Sequence, residues 1–222
     1  MGTIIVVASS KGGAGKTSLV TALAVNLAAL GYRLAVTDAD RNQAFANWHR
    51  MAEAPSLTCA TEIDHNAIVG HLMDQAEKQD VVICDTAGFE NQTAVFAMGA
   101  ADIVLIPCMP DRNSVLEARK TAKQVESISK LARRTIPYRL VLTRWNSSGL
   151  AEKATLEDIE SAMLPRLRQY LSDLVAFQKY TFSGVMPKSG IVGRQIDKII
   201  DELKDIGAIG NKGAYVTEEV RS

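Results

Sequence analysis

Five short runs rich in Val, Ile and Leu punctuate the first two thirds of the chain, and none alternates apolar with polar residues: TIIVVA (3–8), RLAVTD (33–38), DVVICD (80–85), DIVLIP (102–107) and YRLVLT (138–143). A strand with one wet face must alternate, so continuous apolar runs of this length describe strands covered on both faces, as in a parallel sheet. Between and after them lie segments with three- and four-residue apolar spacing. They predict helices over 16–30, 41–52, 64–78, 91–99, 113–134, 151–171 and 190–206. In the 113–134 helix, Val115, Ala118, Ala122, Val125, Ile128 and Ala132 share one face, and Asn113 or Ser114 can cap its start. Strand–helix alternation of this kind implies a doubly wound α/β domain, with a mostly parallel sheet and helices on both faces. A weaker strand is expected around LVAF (174–177). Such sheets bind ligands beyond the carboxyl ends of their strands.

The 222 residues suffice for one such domain, expected over 1–206, followed by a glycine-rich, aperiodic and flexible tail over 207–222. Lys plus Arg equals Asp plus Glu at 25 each, so any attraction to nucleic acid or membrane must come from a local patch. Cys59, Cys84 and Cys108 show no C-x-x-C spacing, and the last two lie in apolar runs. They read as reduced core thiols of a cytoplasmic protein. No apolar run is long enough to span a bilayer. The opening MGTIIVVA lacks the charged start of a signal peptide, and Val6 stands where N-myristoylation needs Ser or Thr.

The first apolar run feeds SSKGGAGKTS, and an apolar helix follows at once. That is the setting of a phosphate-binding loop. Gly12, Gly13 and Gly15 let backbone N–H groups converge on phosphates without a Cβ in the way. The helix N-terminus adds partial positive charge. Lys16 would reach the β- and γ-phosphates and the Thr17 hydroxyl would ligate Mg²⁺, with Ala14 and Ser18 completing the contacts. Two features are unusual. Ser10 stands where the general pattern has glycine, and a second lysine, Lys11, sits at the loop's mouth.

Those features carry a resemblance. KGGAGKT resembles the deviant Walker A motif of the ParA/MinD class of P-loop ATPases, which also includes the nitrogenase iron protein and the arsenite-pump ATPases. The resemblance implies ATP/ADP and Mg²⁺ as cofactors and a homodimer that sandwiches ATP. It makes Lys11 the signature lysine that crosses the dimer interface to the partner's nucleotide. Its physical logic is that of an arginine finger, a cation delivered to charge developing during phosphoryl transfer.

TDADRNQ resembles the family's switch I segment, with Arg41 and Asn42 in place of the usual Pro and Gln. The resemblance implies that Asp40 positions or activates the attacking water and that Asp38 supports the magnesium shell. DVVICDTAG resembles Walker B, where Asp85 would hold Mg²⁺ directly or through a water and Gly88 would free the switch II backbone. Asp80 begins that strand and so lies at the wrong end. Lys11, Lys16 and Asp40 are therefore the expected catalytic residues, with Thr17, Asp38, Asp40 and Asp85 around the metal. IPCMPDRNSVLEA and LVLTRWN resemble family stretches near the base, which makes Pro110 and Arg144 base-proximal candidates. Trp48 and Trp145 read as core residues rather than stacking platforms.

The branch of the family depends on surfaces. Residues 112–139 carry Arg112, Arg119, Lys120, Lys123, Lys130, Arg133, Arg134 and Arg139 against Glu117 and Glu126. That excess favours a small ParA-type partitioning ATPase of the bacterial cytoplasm, associated with the nucleoid. It would bind nonspecific DNA through Arg119, Lys120, Lys123, Lys130, Arg133 and Arg134, and a ParB-like protein would reset it. A solvated helix face is the competing reading of such a run. Arg166, Arg168, Lys188 and Arg194 are candidates to extend the patch.

A MinD-like membrane cycle would need a basic amphipathic C-terminal helix. The 190–206 segment instead has an Ile196, Ile199, Ile200 and Leu203 stripe and a mixed-charge polar face, which predicts docking in the core. A conjugation-linked or protein-positioning factor is a third reading. No substrate constellation supports a metabolic enzyme, and His49, His65 and His71 are expected to do no chemistry. The first strand begins at residue 3, which leaves no room for a helix-turn-helix extension, so operator binding is not expected. Slow hydrolysis until a partner intervenes is expected from the resemblance.

Overall fold

A seven-stranded sheet in the order β3-β2-β4-β1-β5-β6-β7 organises the chain, with every pairing parallel. The computed structural model describes residues 1–52, 57–88, 91–172, 183, 185 and 190–210. In chain order the elements are β1 (Thr3–Val7), α1 (Lys16–Ala29), β2 (Leu34–Ala39), α2 (Ala44–Ala52), β3 (Thr58–Thr61), α3 (Ile68–Lys78), β4 (Val81–Thr86) and α4 (Gln92–Ala100). There follow β5 (Ile103–Cys108), α5 (Arg112–Ala132), β6 (Tyr138–Trp145), α6 (Leu150–Ser161), β7 (Arg166–Ser172) and α7 (Gly190–Asp205).

The apolar runs behave as two-sided burial demands. Ile5 and Val7 of β1 face a core built with α1 and α7, whereas Ile4 and Val6 face a second core built with α3, α4, α5 and α6. Successive side chains of one strand thus enter opposite cores, which is why no polar alternation appears. The predicted α7 stripe is confirmed: Ile196, Ile199, Ile200 and Leu203 are buried, and the helix packs on α1 and β7. Packing continues past the expected boundary, because Ile209 is 2% exposed and the Tyr32 hydroxyl donates to the Gly210 carbonyl at 3.0 Å. Residues 211–222 lie outside the described residues, as does the strand expected at 174–177.

Several boundaries differ from the expectations. The helix predicted over 151–171 ends at Ser161, and β7 follows. Leu167 and Leu171 are four apart and mimic a helical stripe, yet they are buried from an edge strand whose Arg168 and Gln169 amides donate to the Glu202 carboxylate. β3 was not anticipated, because TCAT is a short, half-exposed edge strand without an apolar run. α2 starts at Ala44 rather than 41, after a turn ending at Gln43, whose φ is 50°. The α5 cap is Asp111, accepting the Ser114 N–H at 2.8 Å, and neither Asn113 nor Ser114 fills that role. Ala132 is exposed at the end of that helix. Cys84 and Cys108 are buried, as expected, and all three thiols are free. Among the described residues no helix is long and apolar enough to cross a membrane.

Candidate functional site

β1 is central, flanked by β4 and β5, so the loop leaving its carboxyl end rises in the middle of the sheet. That loop needs glycine at two positions: Gly13 has φ 73° and Gly15 has φ 89°. Gly15 is the α1 N-cap and offers no side chain, leaving the first amides of α1 without a side-chain acceptor. A Cβ at Gly13 would meet nothing within 4 Å, so the space above the loop is open to a ligand. The Thr143 hydroxyl of β6 supports the loop from below, 3.4 Å from the Ala14 carbonyl. Sequence reading passed over Thr143.

Asp38 and Asp85 close the floor. They are direct neighbours in register on β2 and β4, and Asp85 also pairs with Val7 at the base of the loop. Asp85 is 1% exposed, and neither oxygen closes a hydrogen bond of full geometry. Burial pushes its carboxyl up to about 7. The Thr17 hydroxyl and Lys16 pull the other way, and the Asp38 and Asp40 charges reinforce the rise. Lys16 shows the mirror effect. Burial lowers its ammonium, opposed by Asp85 and Asp40. These residues therefore share one corner.

Asp38 has work that the sequence did not reveal. Its oxygens accept the Asp40 N–H at 3.0 Å and the Ala46 N–H at 2.9 Å, so it ties the switch-like loop to α2. Burial still raises its carboxyl. Asp40 is only partly exposed and accepts the Asn42 N–H at 2.9 Å.

A buried carboxylate without donors is costly until a cation answers it. Mg²⁺ takes one or two protein oxygens and fills its octahedron with water and phosphate, which suits the orphaned Asp85 and the Thr17 hydroxyl beside it. Among the described residues no three His, Cys, Asp or Glu side chains form a cage by themselves. The fit is thus to a metal that arrives with phosphate. Asp80 is at the opposite end of β4 in an ion pair with Arg33.

Ser10 and Lys11 face α5 rather than the loop's interior. The Ser10 hydroxyl donates to Glu117 Oε2 at 2.5 Å, which explains a side chain at a position that usually has none. Lys11 Nζ lies 3.0 Å from Asp111 Oδ2.

At the ends of β5 and β6, Pro110 and Arg144 line one cavity of about 790 Å³ with Asn146, Glu152, Tyr170 and Ser172. Arg144 has φ 52° where the β6–β7 register shifts, a bulge that turns its side chain outward. Asn146 lies in the same stretch and was missed. Its Oδ1 accepts from Ser148, and its N–H donates to the buried Glu152 carboxylate at 3.1 Å. Trp48 and Trp145 are buried, as expected.

The basic segment divides into two groups. The Arg134 guanidinium donates to the Gly99 and Ala101 carbonyls, and Lys120 pairs with Glu117 at 2.7 Å. Arg112, Arg119, Lys123 and Lys130 form an exposed stripe on α5. Arg133 is exposed at the α5 C-cap. Arg194 lies on α7, across the sheet from α5, and Lys188 is outside the described residues.

The family model for the CobQ/CobB/MinD/ParA nucleotide binding domain matches residues 5–197. The chain belongs to that family. It is thus a nucleotide-binding domain. Protein ParA of Rhizobium radiobacter is 32% identical over 128 residues, covering 57% of this chain and 56% of that protein. The match thus spans little more than half of that relative. The maintenance of carboxysome distribution protein A of Halothiobacillus neapolitanus is 26% identical over 90% of this chain and 95% of its own length. The ATP complex of Cyanothece McdA superposes with a TM-score of 0.77 at 16% identity, covering 95% of this chain and 98% of that one, which bears on the fold.

Proposed function

We propose that this domain is an ATP-driven dimerisation switch for DNA partitioning. The carrying observation is the corner where Lys16, Thr17 and the orphaned Asp85 meet beneath an open glycine loop, with a second lysine outside it. In the proposed cycle the loop amides and Lys16 hold the ATP phosphates, and Thr17 and Asp85 hold Mg²⁺. The metal supplies charge neutralisation at the phosphates. Asp40 orients water, Asp38 fixes the backbone that carries Asp40, and Lys11 reaches the nucleotide of a second copy. Pro110, Arg144 and Asn146 line the space for the base. The α5 stripe of Arg112, Arg119, Lys123 and Lys130 supports phosphate contacts along duplex DNA, joined by Arg133. Hydrolysis is slow until a ParB-like partner accelerates it.

The near full-length likeness to a carboxysome-distribution protein favours one second reading, in which the cargo is a protein assembly and DNA is only the platform. A membrane cycle draws no support from α7, whose apolar stripe is spent in the core.

The test is binding to random-sequence duplex DNA with ATP, with ADP and without nucleotide across a salt series. Binding in the ATP state alone, falling steeply with salt, is the expected result. No binding in any state, while ATP-dependent dimers form, moves the platform to a protein or membrane. Absence of both dimers and ATP turnover sinks the switch.

A further inference from the structure

Lys11 already has partners within its own chain. Its Nζ donates to the two Asp111 oxygens at 3.1 and 3.0 Å and to Ser114 Oγ at 3.0 Å. An ammonium offers three protons, and these acceptors use all of them. Asp111 is itself held in place. It caps α5 through the Ser114 N–H at 2.8 Å and accepts the Ser114 hydroxyl at 2.7 Å. Burial nudges the Asp111 carboxyl up, but Ser114 and Lys11 outweigh it and hold it below the usual range. The neighbouring residue is fastened to the same helix, since the Ser10 N–H donates to Thr121 Oγ1 at 3.2 Å and its hydroxyl to Glu117. The mouth of the loop is laced to the first turns of α5.

The switch proposed above, on which this inference rests, needs Lys11 in a second place, against a nucleotide in another copy. One ammonium with its protons committed to Asp111 and Ser114 cannot serve both. We propose that Asp111 is a positioning residue that parks Lys11 in cis, so that ATP-dependent dimerisation has to pull the lysine away. The exchange is feasible in both directions. The pair is partly open to water, with Lys11 28% and Asp111 41% exposed, which keeps its strength modest. A nucleotide triphosphate offers more negative charge than one carboxylate and can outcompete it. Release of Lys11 leaves Asp111 bonded to Ser114, so the α5 cap survives the exchange. Parking also keeps a free cation off the monomer's own phosphates, where it would neutralise charge without a partner present.

The test separates the cap from the charge. Asn caps a helix as well as Asp but carries no charge, so Asp111→Asn keeps α5 and frees Lys11. In the nucleotide-free protein, acetic anhydride labelling of Lys11 is read by mass spectrometry, with Lys123 as internal reference. Labelling of Lys11 is expected to rise about three- to tenfold in the variant, the size of a partly exposed charge-assisted contact. With a non-hydrolysable ATP analogue, sedimentation should then give half-dimerisation at a concentration lower by a similar factor. Asp111→Ser, which also caps, serves as the second variant and should behave alike. Unchanged Lys11 labelling in both variants overturns the parking contact. Raised labelling with unchanged or weaker dimerisation overturns its control of the dimer. Raised labelling in a protein that never dimerises with the analogue leaves Lys11 parked on Asp111 and overturns the switch reading.

Discussion

Asp38 and Asp85 stand side by side in register at the carboxyl ends of β2 and β4, yet the protein answers only the first with hydrogen bonds of full geometry. Asp38 spends its oxygens on the Asp40 and Ala46 amides, whereas Asp85 faces the loop with only the Thr17 hydroxyl and Lys16 to offset its charge. Two carboxylates of the same type and depth are thereby divided into a structural tie and a ligand in waiting. Neighbouring like charge makes the second more expensive, which sharpens its demand for a cation.

The cost can be measured through pH. The Asp85 carboxyl is raised from 3.8 to about 7 in the fold, so the folded state holds a proton that the unfolded state releases across that window. The stabilising contribution is complete below the unfolded value and is lost as pH rises through the folded one. Asp85→Asn removes this slope, and at pH 8 the ligand-free variant should be more stable than the parent by roughly 2–4 kcal/mol. Thermal melts from pH 4 to 8 check this. Mg²⁺ with nucleotide should stabilise the parent far more than the variant. Parallel melting profiles for the two proteins would refute the assignment.

Lys16 and Asp40 should separate binding from chemistry. Asp40 makes one backbone contact at a loop surface, so Asp40→Ala should leave nucleotide affinity within a few-fold while slowing hydrolysis about 100-fold or more. Lys16→Ala should lose both, because its ammonium lies in the partly buried corner with Asp85. Titration with a fluorescent ATP analogue, paired with single-turnover hydrolysis, distinguishes the two patterns.

The basic residues should also divide. Arg119→Ala and Lys123→Ala should each reduce the slope of log affinity against log salt for duplex DNA by about 0.9, with melting unchanged. Arg134→Ala should leave that slope alone and lower stability by about 1–3 kcal/mol, since its guanidinium holds the Gly99 and Ala101 carbonyls. An unaltered salt slope in Arg119→Ala and Lys123→Ala would remove α5 from the DNA surface.

The parts legible in the sequence are those encoded by neighbours along the chain. β1, the glycine loop and α1 are contiguous, and so are β4 and Asp85 at its end; strand burial, positive φ and helix polarity are local demands that fix residue types in order. β3 and β7 escaped because edge strands are half exposed, and their stability comes from one neighbour and from groups such as Glu202, 34 residues from Arg168. The division of labour between Asp38 and Asp85 needed the register of two strands 47 residues apart.

The sequence alone determined that a cationic loop sits at the end of a two-sided parallel sheet, because each ingredient is local. Only the tertiary structure decided where the second lysine goes. Lys11 and Asp111 are 100 residues apart, and α5 starts beside the loop only because β5 is the neighbour of β1. Sheet order is a property of the whole core, set by which faces bury together, and no short stretch of sequence carries it.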